Sequence, residues 1–298
     1  MAALICLGIA VRDLVFRLPA LPRQPGKYTA AGFAPRGGGM AATAAVAAAA
    51  LGGQAEYWGR LGDDAPGREL RAELQSCGVK VQAASPAGTQ TPTSVVLVAD
   101  DAERLLVVYP GRLDDSVTWL PLERLASVQA VLADFRWRAG AACLFDAASR
   151  LGLPRVLDAD MGEPDTLRRL LPLCNHAVFS QAGLAQLVGM EDVEAGLAAA
   201  AHLAPGVVAV TLGEHGSVFL IHGQLHRVNA FAVTARDTNG AGDVFHGAYA
   251  LALARGEAAL DAARFASAAA ALKCRNGSGW GAVPTLDDVH SLLKVDPR

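Results

Sequence analysis

The first candidate for chemistry in this chain is an aspartate that follows two closely spaced glycines. The segment Asp237-Thr238-Asn239-Gly240-Ala241-Gly242-Asp243-Val244-Phe245-His246-Gly247 sets Gly240 and Gly242 around a small alanine, just ahead of an apolar stretch suited to a helix. Such a turn exposes backbone N–H groups at a helix N-terminus, where the helix dipole also favours an anion. A phosphate whose charge rises during transfer suits that place. Asp243 falls in the first helical turn, level with the amides, where a carboxylate can accept a proton from an attacking hydroxyl. The pattern predicts Asp243 as a catalytic base, with the N–H groups of Gly240, Ala241 and Gly242 as an anion hole. A bare glycine–x–glycine turn is common and unspecific; the full eleven-residue string says much more.

The surrounding elements must hold that turn. A strand-like run at 231–234 leads into it, and helices are expected over 241–255, 260–274 and 286–293. Upstream, 3–10 is a short apolar run suited to a strand buried on both faces. Residues 40–51 form an alanine-rich helix of high propensity, closed by Gly52-Gly53. A strand at 55–59 and a helix at 67–77 follow. From 128 onward the chain alternates: strands at 130–134, 155–158, 177–180, 207–212 and 217–221, with helices at 139–151, 164–173, 184–187 and 193–203 between them. That alternation implies a mostly parallel sheet with helices on both faces, a three-layer α/β/α sandwich. Two stretches break the rhythm. Residues 11–36 carry prolines at 19, 22, 25 and 35 and read as exposed strands and turns. Residues 93–99 and 104–109 are β-rich runs around a turn at 100–103, a hairpin pattern.

Totals narrow the function. The 298 residues are 52% hydrophobic and 18% charged, enough for a sizeable core. A net charge of -3 offers no overall basic field for nucleic acid and leaves a locally positive pocket open. Cys6, Cys77, Cys143, Cys174 and Cys274 are scattered and form no CxxC pair, which argues for free thiols rather than a metal cluster or disulfides. The most apolar stretch, 41–51, is about half of the roughly 20 residues a membrane span needs. No signal-peptide pattern opens the chain, and a cytoplasmic protein without membrane or nucleic-acid partners is expected.

The glycine string resembles the second signature of the ribokinase-like (PfkB) sugar kinases, which runs close to DTTGAGDxFxG; Asn239 stands where threonine is usual. Gly38-Gly39-Met40-Ala41-Ala42-Thr43 with the alanine helix resembles the first signature, continued by Gly59-Arg60-Leu61-Gly62-Asp63-Asp64 and Gly67. The resemblance covers nearly the whole chain and implies a single domain over 1–298, with a small β-sheet lid from about 11–36 and 92–112. It implies ATP and Mg2+ as cofactors and admits a monovalent cation. It assigns Asp13, Gly38, Gly39, Thr43 and Asp243 to a sugar. Thr211, Gly213, Gly216, Gly240, Gly242 and Gly281 fall to the nucleotide. Homodimers formed through lid edges are usual in such a family.

Two departures stand out. The family often has Asn-x-x-Glu near the phosphates, where this chain has Ser180-Gln181-Ala182-Gly183, so metal binding would rest on other acids or on the nucleotide. Thr43 replaces an asparagine and reaches less far. Several local strings, among them Gly26-Lys27-Tyr28, Leu132-Ala133-Asp134-Phe135-Arg136-Trp137 and Ala271-Leu272-Lys273-Cys274, resemble the sulfofructose kinase branch. That likeness implies Lys27 and Arg136 on the sulfonate of 6-deoxy-6-sulfofructose and a 1-phosphate product, although Val108 stands where a helping asparagine is expected. Arg36 and Arg138 are further basic candidates, and His246, Trp137, Trp280 and Lys273 are either pocket-lining or simply packed. Three readings compete: a kinase for a neutral sugar or a nucleoside, a sugar- or nucleotide-binding module without catalysis, and a dinucleotide dehydrogenase. Against the last, the glycine motif lies far from the first strand.

Overall fold

The computed structural model describes residues 1–100 and 103–295. The chain opens with β1 (Ala3–Gly8), β2 (Val11–Leu18) and β3 (Gly32–Gly38), then α1 (Met40–Ala50), β4 (Gln54–Arg60), α2 (Ala65–Ser76) and β5 (Lys80–Ala84). The hairpin β6 (Thr93–Ala99) and β7 (Arg104–Tyr109) follows. Next come β8 (Ala130–Asp134), α3 (Arg138–Arg150), β9 (Arg155–Ala159), α4 (Pro164–Leu170), β10 (His176–Ser180), α5 (Gln181–Val188) and α6 (Val193–Ala201). The last part holds β11 (Val207–Thr211), β12 (Ser217–Ile221), β13 (Gln224–Val228), α7 (Ala241–Ala254), α8 (Ala259–Asn276) and α9 (Leu286–Val295).

Among the described residues, nine strands make the large sheet in the order β13-β12-β11-β10-β9-β8-β1-β4-β5. Strands from β11 to β5 run parallel, and β12 and β13 add an antiparallel edge. Successive residues of one strand serve opposite faces. Leu4 and Cys6 join the core under α1, α7 and α8, while Ile5 and Leu7 join the core beside α3. Both faces being covered explains why β1 reads as an unbroken apolar run.

The second sheet has the order β3-β2-β6-β7. Its strands fall in the two stretches that broke the α/β rhythm, with β3 running on to Gly38, two residues past the first of them. One face bears Asp13, Val15, Ser94, Val96, Leu106 and Val108 and looks onto a cleft above the large sheet. The sheet thus borders this cleft from above and is termed the lid.

Small residues let the helix that carries Asp243 sit close to α1. Ala41 to Ala48 are all buried, and a Cβ on Gly247 of α7 would lie 2.3 Å from the carbonyl oxygen of Ala44. Here backbone meets backbone, and no flexible side chain can yield. Gly247→Ala is therefore expected to cost about 3 kcal/mol of stability, in the range for overpacking, measured as a lowered midpoint in urea unfolding.

Two expectations change. Residues 231–234 form no strand; Phe231 alone is buried there, and the partner of β12 is β13, a few residues earlier. The second change is β5, an additional edge strand beyond β4. The turn expected at 100–103 includes residues 101 and 102, outside the described residues.

Candidate active site

The parallel strands end on one side of the large sheet, and a cleft of about 940 Å³ opens there beneath the lid. This is where open α/β sheets gather loops and helix N-termini that can hold a ligand. Asp134, fully buried at the end of β8, ties the region together. Its carboxylate accepts the N–H groups of Ile9 at 2.8 Å, Arg136 at 2.9 Å and Ala41 at 3.2 Å. One carboxylate thereby joins the end of β1, the end of β8 and the start of α1. Gly8 must lack a side chain for this, because a Cβ there would sit 2.1 Å from the Asp134 carboxylate.

Gly240 caps α7 in the left-handed region, with φ 74°, and so turns the chain sharply into the helix. Among the described residues the amides of Gly240, Gly242 and Asp243 have no protein acceptor, and all three residues line the cleft. Ala241 differs from the expectation: its N–H turns inward to the Thr238 carbonyl at 3.2 Å. The open amides are therefore those of Gly240, Gly242 and Asp243. The loop is pinned from behind by the last turn of α8. Cys274 O accepts the amides of Arg236 and Asp237, and the Lys273 ammonium donates to the carbonyls of Asp237 and Asn239. From the lid, Arg104 reaches the Asp237 carboxylate at 2.5 Å. Burial would raise the Asp237 pKa, but the Asn239 amide, Lys273 and Arg104 together hold it below its ordinary value.

Below the loop lies a cluster of acids that the sequence did not announce. Burial pushes the Asp243 pKa up to about 7, and the charge of nearby Asp158 adds to it. Asp158 is raised well above its ordinary value, by burial first and then by Asp134 and Asp160. Its Oδ2 accepts no hydrogen bond and lies 3.3 Å from Nδ1 of His246. His246 is buried, with Nδ1 2.7 Å from the Gly242 carbonyl and Nε2 3.1 Å from the Val178 carbonyl. It braces α7 against β10 rather than facing the cleft. Burial draws its pKa down, against the pull of the Val178 carbonyl and Asp243.

Opposite Asp243, the lid supplies Asp13. Its carboxylate accepts from Ser94 Oγ and passes over Gly38, where a Cβ would lie 2.4 Å away. Burial raises its pKa. Gly39 adopts φ 98° to enter α1, and a Cβ there would strike the Ile9 carbonyl at 2.5 Å. Thr43 accepts a hydrogen bond from Trp280 Nε1 at 3.0 Å, which leaves its own hydroxyl hydrogen free to donate. The Trp280 ring takes the space left where Gly37 has no side chain: a Cβ there would lie 2.4 Å from it.

Among the described residues, seven cationic side chains line the cleft: Arg17, Arg36, Arg60, Arg104, Arg112, Arg136 and Lys273. Arg60 is spoken for by Asp115 and stacks on Trp137 at 4.8 Å, Arg104 by Asp237, and Arg36 by Ser278. Arg17, Arg112 and Arg136 pair with no carboxylate among the described residues. Lys27 is exposed in the connection between β2 and β3 and is not among the cleft-lining residues. Arg138 is exposed at the start of α3, outside the cleft.

Residues 1–286 match the family model described as pfkB family carbohydrate kinase. The chain belongs to that family. The kinase is 27% identical to the ribokinase of Bacillus subtilis over 292 residues, covering 96% of this chain and 98% of the relative. Against the fructokinase of Klebsiella pneumoniae identity is 32% over 232 residues, covering 70% and 74%. The structure of Arabidopsis thaliana ribokinase complexed with ribose and ATP superposes with a TM-score of 0.88 at 27% identity, covering 99% of each chain.

Of the residues assigned to the kinase from sequence, Asp13, Gly38, Gly39, Thr43, Arg136, Gly240, Gly242 and Asp243 converge on the cleft. Thr211, Gly213 and Gly216 lie at the end of β11 and in the turn after it, on the same side of the sheet but outside the cleft lining. Gly281 is exposed beside Trp280, which does line it. Sequence reading missed Asp160. Its Oδ1 accepts from Ser180 Oγ at 2.5 Å, so a carboxylate stands beside the segment that lacks the family's glutamate. Among the described residues no group of three or more His, Cys, Asp or Glu is arranged to hold a metal alone. A magnesium ion carried by nucleotide phosphates needs only one or two protein carboxylates, and Asp160, which lines the cleft with Asp243, fits that need.

Proposed function

We propose that the protein is an ATP-dependent kinase that phosphorylates a hydroxyl of an anionic ketohexose, with 6-deoxy-6-sulfofructose and its 1-phosphate as the candidate substrate and product. The observation that carries the reading is a single cleft combining Asp243, three open amides and arginines not consumed by ion pairs. In this reaction the Asp243 carboxylate takes the proton from the attacking hydroxyl, the oxygen bonds to the γ-phosphorus, and ADP leaves in line. The amides of Gly240, Gly242 and Asp243 bind the oxygens of the group in transit, and the aligned α7 dipole adds to them. Asp13 fixes other hydroxyls of the sugar, and Thr43 donates to another. Thr211, Gly213, Gly216 and Gly281 lie towards the nucleotide. Magnesium, held at Asp160, would neutralise phosphate charge. The lid excludes water, which would otherwise accept the phosphate.

A neutral sugar is the second reading, because Lys27, one of the two cations assigned to the acidic group, lies off the cleft. ADP release with ATP and magnesium, across 6-deoxy-6-sulfofructose, fructose 6-phosphate, fructose, ribose and adenosine, separates the readings. Preference for the anionic ketoses upholds the first; turnover of fructose or ribose alone upholds the second. Absence of turnover with ATP still bound points to a binding module.

The same lid carries a proposal about assembly. Leu106 and Val108 of β7 face the cleft, so Leu105, Val107 and Tyr109 face away, exposed by 38%, 59% and 46%. Phe33 is 58% exposed and meets Phe16 on that outer face, with ring centroids 4.9 Å apart. An exposed edge strand with such a face is a liability unless covered, and a second lid is its natural cover. The expected solution species is a homodimer, and a monomeric mass at micromolar concentration would refute it.

A further inference from the structure

Behind the phosphate loop, where a monovalent cation serving that loop would need oxygen ligands, the carbonyls of Asp237 and Asn239 are already occupied by an ammonium. Lys273 leaves the last turn of α8 with only 2% of its surface exposed. Its ammonium donates to the carbonyl of Asp237 at 3.1 Å and to that of Asn239. Of the Asp237 carboxylate, Oδ1 is also engaged, by Arg104 and by the Asn239 amide. A potassium or sodium ion does not fit between these carbonyls while the ammonium is there.

We propose that Lys273 is a built-in monovalent cation for the phosphate loop, so that this kinase works without an added one. The argument is one of dipoles. In a turn, successive peptide planes must point their carbonyls one way so that their N–H groups point the other. Holding the carbonyls of Asp237 and Asn239 down on an ammonium stabilises the arrangement in which Gly240, Gly242 and Asp243 present their amides to the cleft. A fixed positive charge also sits just behind the place where phosphate charge develops. A side-chain cation differs from a bound ion in one respect: its local concentration is set by the chain and does not vary with the medium. Lys273 touches the loop rather than the reacting atoms and is a positioning residue. The ion pair of Asp237 with Arg104 places the lid on the same loop, so lid closure and loop geometry share one anchor.

This inference rests on the kinase reading, and two measurements keep the two apart. The first is thermal unfolding of the wild type and of Lys273→Ala in tetramethylammonium, potassium and ammonium chlorides at equal ionic strength. A ligand that binds only the folded state raises the melting temperature. The wild type is expected to melt identically in all three salts, and the variant to gain stability in potassium or ammonium. The second is kcat in the same salts with a sugar the wild type accepts. Misplacement of a loop of this kind costs about 100-fold; Lys273→Met is expected to lose that much in kcat with little change in sugar KM, and Lys273→Ala to regain part of it in potassium or ammonium. A wild-type melting temperature or kcat that rises with potassium over tetramethylammonium would overturn the proposal, as would an undiminished kcat in Lys273→Met. Should Lys273→Ala fail to fold, the wild-type salt series still decides. A protein with no turnover of any sugar but the expected salt pattern in unfolding would sink the kinase reading alone.

Discussion

Asp243→Asn is expected to lower kcat by about 10³-fold, in the range for loss of a general base, while raising the melting temperature of the protein. The two effects share one cause. The Asp243 carboxyl, partly exposed at the cleft, is desolvated by its surroundings with Asp158, Asp160 and Asp134 nearby, and its pKa is pushed up to about 7 against an ordinary 3.8. The folded state therefore prefers the protonated acid, and ionisation opposes folding. The penalty is absent below the unfolded-state pKa, grows between about pH 4 and 7, and is complete above the folded-state pKa. At full ionisation it reaches at most about 4 kcal/mol. An asparagine carries no charge and escapes it. The gain in stability should be present at pH 8 and vanish near pH 4, as read by urea unfolding at both. The same carboxyl must be ionised to take a proton, so kcat/KM of the wild type should fall about tenfold for each pH unit below about 7. A pH-independent rate from 5 to 8, or an Asp243→Asn protein less stable at pH 8, would assign the base to another group. Nucleotide binding should survive the substitution, because the amides that hold phosphate are main-chain groups.

What could be read in advance followed from locality. The glycine string, the α1 helix and the β6–β7 hairpin each depend on a few consecutive residues, and each forms where the local pattern placed it. The edge strands did not announce themselves. Both β5 and β13 hold a charged or polar residue at several positions and are half exposed, so their alternation is faint. The run at 231–234 has β-like residues but no neighbouring strand to receive its hydrogen bonds. The site shows the same division. Asp243 belongs to a motif, whereas Asp158 and Asp160 are ordinary aspartates at a strand end until β9 and α7 bring them together. Ser180 and Asp160 form a carboxylate site from residues 20 apart, which no spacing rule would have joined. Lys273 reads from sequence as a charge favouring a helix C-terminus; only the fold shows the loop carbonyls it holds. Lys27 shows the opposite case, a local likeness placed by the fold outside the cleft of its own chain.

On the proposed reading the arginines select an anionic substrate, and Arg136 is the sharpest probe of it. Its backbone N–H is fixed on Asp134, and its guanidinium lies 4.6 Å from the Phe135 ring and 3.4 Å from the Met161 carbonyl. These contacts orient the side chain without neutralising it, so its charge remains available to a sulfonate or phosphate at the cleft. Arg60 is different: Asp115 already balances it. A guanidinium presents parallel donors to a tetrahedral anion, and such a bond is worth about 1.5–3 kcal/mol. Arg136→Met keeps the bulk against Phe135 and removes the charge. For an anionic ketose it should cut kcat/KM about 100-fold, equivalent to about 2.7 kcal/mol, mostly through KM because the anion is bound equally in ground and transition states. For fructose the same variant should behave as the wild type. Arg112→Gln, at the exposed rim, should cost less, and its effect should shrink with added salt because exposed charges are screened over about 8 Å at physiological ionic strength. If Arg136→Met weakens fructose and the anionic ketoses alike, the side chain shapes the cleft instead of reading charge. The substrate would then be a neutral sugar held by Asp13 and Thr43, with Asp243 unchanged in its role.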